Sequence, residues 1–135
     1  MPRFRDGGSA VLRAAGFAVL AWALGACSSD FETERASLGA ACESAADCPS
    51  FAPTCLPFKG GYCGLTPCGK DSDCPVTAAC VTHSDGVNYC FLGCFGTSDC
   101  NRARPAEVAA TCSERAEFVQ AQQLGRRACV PPDLD

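Results

Sequence analysis

Apolar positions are spread unevenly along the chain. One uncharged run, Ala14 to Leu24, carries Phe17, Val19, Leu20, Trp22 and Leu24. As a helix these residues rise only about 16 Å, roughly half the hydrocarbon thickness of a bilayer, so they are too short to span it. No polar face interrupts the run, which excludes an amphipathic helix packed on a domain. From Ser28 to Ala41 the chain becomes polar, charged and free of Cys, and this predicts a flexible tether. Further on, apolar residues occur in short groups between Cys, Gly, Pro and Asp, the pattern of short strands and turns. Val81 to Asn88, with Asp85-Gly86 at its centre, predicts a β-hairpin whose returning strand brings Tyr89 over a disulfide. Near 112–124 two readings stay open. Thr111-Cys112-Ser113-Glu114 has capping-box spacing and Glu114 to Leu124 contains good helix formers, which suits a short helix ending at Gly125. An elongated hairpin suits it as well.

Composition makes burial an insufficient explanation of stability. From Cys27 onward the large apolar side chains are six Leu, six Val and six Phe, 18 of 109 residues, with no Ile. That is thin for a domain held by a core alone. The chain has 13 Cys, a density typical of disulfide scaffolds in oxidising compartments. Side-chain charge from Cys27 onward is eight Lys plus Arg against fourteen Asp plus Glu. This acidic balance argues against nucleic acid as a partner.

Twelve of the Cys fall into three four-membered units: Cys42, Cys48, Cys55 and Cys63; Cys68, Cys74, Cys80 and Cys90; Cys94, Cys100, Cys112 and Cys129. Five residues separate the first two Cys in every unit, and Asp47, Asp73 or Asp99 precedes the second. Pro49 and Pro75 follow the second Cys, Tyr62 and Tyr89 precede the fourth, and Gly61, Gly86 and Gly125 lie shortly before the fourth. Coincidences of this kind indicate duplication. The organisation is therefore 42–67, 68–93 and 94–135, three tandem cysteine-rich repeats in a small disulfide-rich fold with short β-hairpins and little regular secondary structure. The repeat register favours the hairpin over the helix at 112–124. Asp before Cys suits a turn, because its carboxylate can accept from nearby backbone N–H groups. Spacing alone permits three disulfide pairings per unit.

Arg3, Arg5 and Arg13 ahead of the apolar run make residues 1–26 read as a signal peptide. The sequence Leu24-Gly25-Ala26-Cys27 resembles the lipobox of bacterial lipoproteins. That resemblance implies cleavage before Cys27, a thioether-linked diacylglycerol on its sulfur and an acylated amine such as palmitate supplies. The lipid is the only non-protein group expected, with membrane lipid as its partner through Cys27. Two or more acyl chains suffice for stable anchoring. Residues 27–41 then become the lipidated N-terminus and its tether, and twelve Cys remain, an even number that can pair completely. Ser28 differs from the Asp that resembles an inner-membrane retention signal in enteric bacteria, which points to the outer membrane.

The Cys-x5-Cys-x5-Cys-x9-Cys spacing, clearest from Cys68 to Cys90, resembles the disulfide fingers of the Dickkopf N-terminal region and the colipase fold. Fingers of that type pair crosswise. The resemblance implies Cys42 with Cys55, Cys48 with Cys63, Cys68 with Cys80, Cys74 with Cys90, Cys94 with Cys112 and Cys100 with Cys129. The adjacent Cys-Cys pair of colipase-like members is missing here, so their further bridges and their partners do not transfer.

No residue set predicts catalysis. His83, the only His, is expected as an exposed polar residue near the hairpin turn, and no nucleophile-elbow motif accompanies it. Zinc is disfavoured because no two Cys are separated by two residues. Asp71 and Asp73 are too few oxygens for calcium and read as turn residues. The sequence thus predicts a non-enzymatic, membrane-anchored lipoprotein without metal, serving as an extracytoplasmic binding or spacer module. An inhibitor of an extracellular enzyme and a structural envelope component are the alternatives. Recognition is expected at the hairpins Phe58 to Tyr62, Val81 to Tyr89 and Glu117 to Leu124, with Phe118 and Val119 as core or contact residues.

Overall fold

In each repeat a single carboxylate shapes the opening loop. Asp47 accepts from the backbone N–H groups of Glu43 and Ser44 at 3.0 and 2.9 Å, Asp73 from Gly69 and Lys70 at 2.9 and 3.1 Å, and Asp99 from Phe95 and Gly96 at 2.9 and 3.2 Å. The acceptor closes one turn of helix: 3₁₀ at Ala45–Asp47 and Asp71–Asp73, and a short α-helix, α2, at Thr97–Cys100. Each turn presents the second Cys of its unit toward the hairpin that follows. A computed structural model describes residues 27–120 and 124–134. The expected signal peptide, 1–26, and its Leu24-Gly25-Ala26 lie outside the described residues.

Each loop leads into an antiparallel hairpin: β1 (Thr54–Leu56) with β2 (Tyr62–Gly64), β3 (Ala78–Thr82) with β4 (Asn88–Leu92), and β5 (Thr111–Ser113) with β7 (Ala128–Val130). Within each hairpin the third and fourth Cys stand directly opposite: Cys55 and Cys63, Cys80 and Cys90, Cys112 and Cys129. Directly opposed residues project from the same face of a sheet, so both sulfurs reach back to the opening loop. The third Cys bridges to the first and the fourth to the second, giving Cys42–Cys55, Cys48–Cys63, Cys68–Cys80, Cys74–Cys90, Cys94–Cys112 and Cys100–Cys129. This is the crossed arrangement that the finger resemblance implies, and every bridge stays inside its own unit. A loop of about 15 residues closed by a bridge gains on the order of 3 kcal/mol in the chain-entropy account.

The glycine before the fourth Cys has a positive φ in all three units: 68° at Gly61, 79° at Gly86 and 83° at Gly125. At Gly61 the requirement is double, because a Cβ there would also strike the carbonyl and sulfur of Cys42.

The central hairpin has two buried faces, sorted by the period of two along its strands. Ala78, Cys80, Cys90 and Leu92 face a cystine-rich cluster with Leu38, Ala52, Cys94, Cys100 and Ala110. Ala79, Val81, Tyr89 and Phe91 face an aromatic cluster with Leu56, Phe58, Tyr62 and Ala128. The repeats therefore share a core instead of standing as separate beads, and burial contributes more than the count of large apolar residues predicts. Tyr89 lies in that aromatic cluster, stacked on Phe91 with ring centroids 5.7 Å apart, where the sequence reading placed it over a disulfide. The reason is parity: Tyr89 and Cys90 are neighbours on one strand and so point to opposite faces.

Two other expectations are corrected. The predicted tether contains an α-helix, α1 (Cys27–Ser37), fixed to the body where Glu34 accepts from the Thr77 N–H and hydroxyl at 2.9 and 2.7 Å. Leu38 then buries beside it, 2% exposed. Asp30 near the start and Arg35 near the end of α1 match the helix dipole. The short helix considered for 112–124 is not formed over the described residues there. Instead β5 leaves toward β6 (Glu117–Phe118), which adds to β3 as the third strand of a β4-β3-β6 sheet before the chain returns as β7. Pairing with an existing strand edge supplies backbone partners that capping alone does not outweigh.

Candidate functional site

The turn that ends the central hairpin supplies the chemically richest group of side chains. His83 N–H donates to Val87 O at 2.9 Å and Gly86 N–H to His83 O at 2.9 Å, while the Asp85 carboxylate accepts from Val87 N–H and from the Tyr89 hydroxyl at 2.9 and 2.8 Å. Those two donors hold the Asp85 carboxyl below its ordinary range. Burial, reinforced by Asp85, pushes the Tyr89 phenol up to about 12.

The rigid turn turns His83 inward. Its side chain is 7% exposed and its ring meets Phe58 edge-on at 5.0 Å, with Tyr89 and Phe91 at 6.0 Å. The sequence reading placed His83 in solvent; the structure packs it on the aromatic cluster. The aromatic wall comes from Phe58, in another repeat, and from alternate residues of β4, so nothing adjacent to His83 announces it. Nε2 lies 3.3 Å from an Asp133 carboxylate oxygen, and Nδ1 lies 3.3 Å from Ser84 Oγ and 3.8 Å from Asp85. A shallow hollow of about 360 Å³ opens beside this group, with Arg115, Glu117 and Val130 on its walls.

Ser84, His83 and Asp133 come in the order of a nucleophile, base and orienting acid. Acyl transfer also requires a pair of N–H groups able to hold an oxyanion. Two of the turn's N–H groups, those of Gly86 and Val87, already bond to His83 O and the Asp85 carboxylate. What the arrangement does achieve is a clasp on the C-terminal tail. Asp133 meets His83, Pro132 O accepts from Lys59 N–H at 3.0 Å, and Pro131 is buried.

The other predicted features are spread over the molecule. Phe58 and Tyr62 are core residues, 5% and 0% exposed, so the loop from Phe58 to Tyr62 presents Lys59 and Gly60 and not its aromatic rings. Ser84 to Val87 is exposed at the hairpin tip. Phe118 packs against the aromatic cluster with the Arg126 guanidinium over its ring at 5.2 Å, while Val119 is 36% exposed. Asp71 does not open toward a cation: one oxygen takes the Cys80 N–H at 2.9 Å, the other the Arg126 guanidinium at 2.7 Å. Burial pushes its carboxyl up, and Arg126 together with the Cys80 N–H reverses this to a net lowering. Within each unit three sulfurs come within 4.8 Å of one another, close enough for a metal, but all three belong to disulfides and offer no thiolate.

Sequence reasoning missed Arg104 altogether. Its guanidinium is buried, donating to the carbonyls of Val108, Gly39, Gly61 and Lys59 at 2.9, 3.1, 2.7 and 2.9 Å, and lies 5.7 Å from the Tyr62 ring. One side chain thereby ties the third repeat to the first and to the strap after α1. No sequence signal marks it, since its partners are all backbone oxygens. No helix among the described residues is long and apolar enough to cross a membrane. No protein-family model, no curated protein and no solved structure matches this chain.

Proposed function

We propose that this chain is the precursor of a bacterial lipoprotein, held in the envelope by lipid on Cys27, whose three stapled repeats form a rigid, non-enzymatic binding or spacer module. The observation that carries the reading is the account of the sulfurs. Six bridges use twelve of the 13 Cys, and the one left over is Cys27, the residue the Leu24-Gly25-Ala26-Cys27 motif marks for modification. Two independent arguments thus single out the same residue. The outer membrane is the proposed site, from Ser28 beside the modified Cys.

The binding or spacer role is favoured over enzyme inhibition by the hairpin tip. An inhibitory loop is held extended between disulfides, whereas the tip at 83–87 is closed by its own backbone bonds. Non-enzymatic action is supported by the Gly86 and Val87 N–H groups already being engaged at the His83 group. Expression of the full chain in an exporting bacterium with an alkynyl palmitate analogue tests the anchor. We expect label on the wild-type protein in the membrane fraction and none on Cys27→Ser. A mature wild-type product with an unmodified Cys27 thiol in the soluble fraction overturns it.

A further inference from the structure

Three apolar side chains stand out in water around one shallow hollow of about 280 Å³: Phe31 on α1, 44% exposed, Val76, 81%, and Phe95, 86%. Their exposure is built in. The Phe95 backbone is fixed on both sides, its N–H on the Asp99 carboxylate at 2.9 Å and its carbonyl on Arg127 at 3.3 Å, and the preceding Cys94 is bridged. Val76 is followed by Thr77, which Glu34 holds by two bonds. The backbone that carries both side chains is therefore held in place. Clustered, rigidly displayed apolar groups mark a contact surface.

The position of Cys27, the proposed lipid attachment, at the start of α1 indicates what covers it. Residues 1–26 end where α1 begins, and Phe31 lies four residues, about one helical turn, from Cys27. We infer that the face carrying Phe31, Val76 and Phe95 rests on the bilayer that holds Cys27, its rings in the interface between headgroups and acyl chains. This inference rests on the lipoprotein reading. The charges around the hollow are already matched: Arg35 with Asp99 at 3.9 Å, Arg126 with Asp71 at 2.7 Å and Arg127 with Glu114 at 3.6 Å. Contact is therefore driven by apolar burial, and salt leaves it unchanged. The opposite end of the central hairpin, Ser84 to Val87, stands about 20 Å further along the strands and faces away from the lipid. The anchor thus sets an orientation, with the tip around His83 outermost.

Tryptophan fluorescence in vesicles tests this directly. The full chain is expressed in an exporting bacterium in a Trp22→Phe background, carrying Phe95→Trp or Val76→Trp on the proposed face, or Val87→Trp at the tip. The products are reconstituted in phosphatidylcholine–phosphatidylglycerol vesicles with plain or brominated acyl chains. Mass spectrometry of each product reports the state of Cys27 separately. Where that residue emerges as a free thiol, it is coupled to a maleimide phospholipid first, so the face is tested even if the lipoprotein reading fails. Brominated chains should at least halve the emission of the Phe95→Trp and Val76→Trp proteins, equally at low and high salt, and leave Val87→Trp unaffected. Absent quenching at both face positions, or equal quenching at the tip, overturns the inference. So does a concentration-dependent blue shift of the face indoles without lipid, which would assign the face to a second copy.

Discussion

At the scale of single residues, Arg104 ties together segments far apart in the chain through four backbone carbonyls. A planar fork with donors on three nitrogens can serve four carbonyls at once, which a lysine ammonium cannot. Burial lowers its pKa from the ordinary value, and the Tyr62 phenol opposes that shift. Replacing it leaves one buried and three half-buried carbonyls without this donor, a defect worth about 1–3 kcal/mol per fully buried unsatisfied group. Arg104→Met is expected to destabilise the oxidised protein by about 3 kcal/mol, and Arg104→Lys to recover less than half of that. Urea unfolding with the bridges intact measures both. His83 belongs to the same class: its sequence neighbours suggest a surface residue, and only Phe58 and Asp133, brought from far along the chain, make it a clasp.

At the scale of the element, the repeated object is a loop in which Asp bonds two N–H groups and sets the second Cys. This was legible in the sequence, since Asp in the same place three times requires a local cause and a turn is the simplest. The N–H donors, Glu43 and Ser44 for Asp47 and Phe95 with Gly96 for Asp99, lower those carboxyls in the native state. A carboxyl with a lowered native pKa binds fewer protons folded than unfolded. Its stabilisation is present above the unfolded value near 4 and disappears as pH falls through the native value. The unfolding midpoint should therefore drop as pH is lowered from 5 to 2. The double variant Asp47→Asn/Asp99→Asn should begin less stable at pH 7 and decline less steeply; thermal unfolding at several pH values gives both slopes. The strand β6 was less legible, because a two-residue strand has too little pattern to separate it from helix or coil. It forms because β3 offers an open edge.

At the scale of the whole molecule, covalent closure is local and burial is shared. All six bridges lie within units, yet the aromatic cluster draws Phe58 and Tyr62 from the first repeat, Tyr89 and Phe91 from the second and Ala128 from the third. A single unit therefore has its staples without most of its core. Oxidative refolding of a peptide spanning 68–93 should yield a mixture of the three possible pairings, while the intact chain yields Cys68–Cys80 and Cys74–Cys90. Disulfide mapping after proteolysis distinguishes the outcomes, and a single native isomer from the peptide would contradict the shared-core account.

The sequence by itself determined the three units, the loops that open them and the hairpins that close them. These depend on contacts within about 30 residues, and Cys, Asp, Gly and Pro mark such contacts in their spacing. The tertiary structure decided what happens between units: the helix in place of a tether, the second buried face of the central hairpin, the Arg104 rivet and the inward His83. Those features depend on which repeat lies against which. Packing of that kind joins residues 40 or more positions apart through backbone oxygens and carboxylates, which leave no periodic trace in the chain.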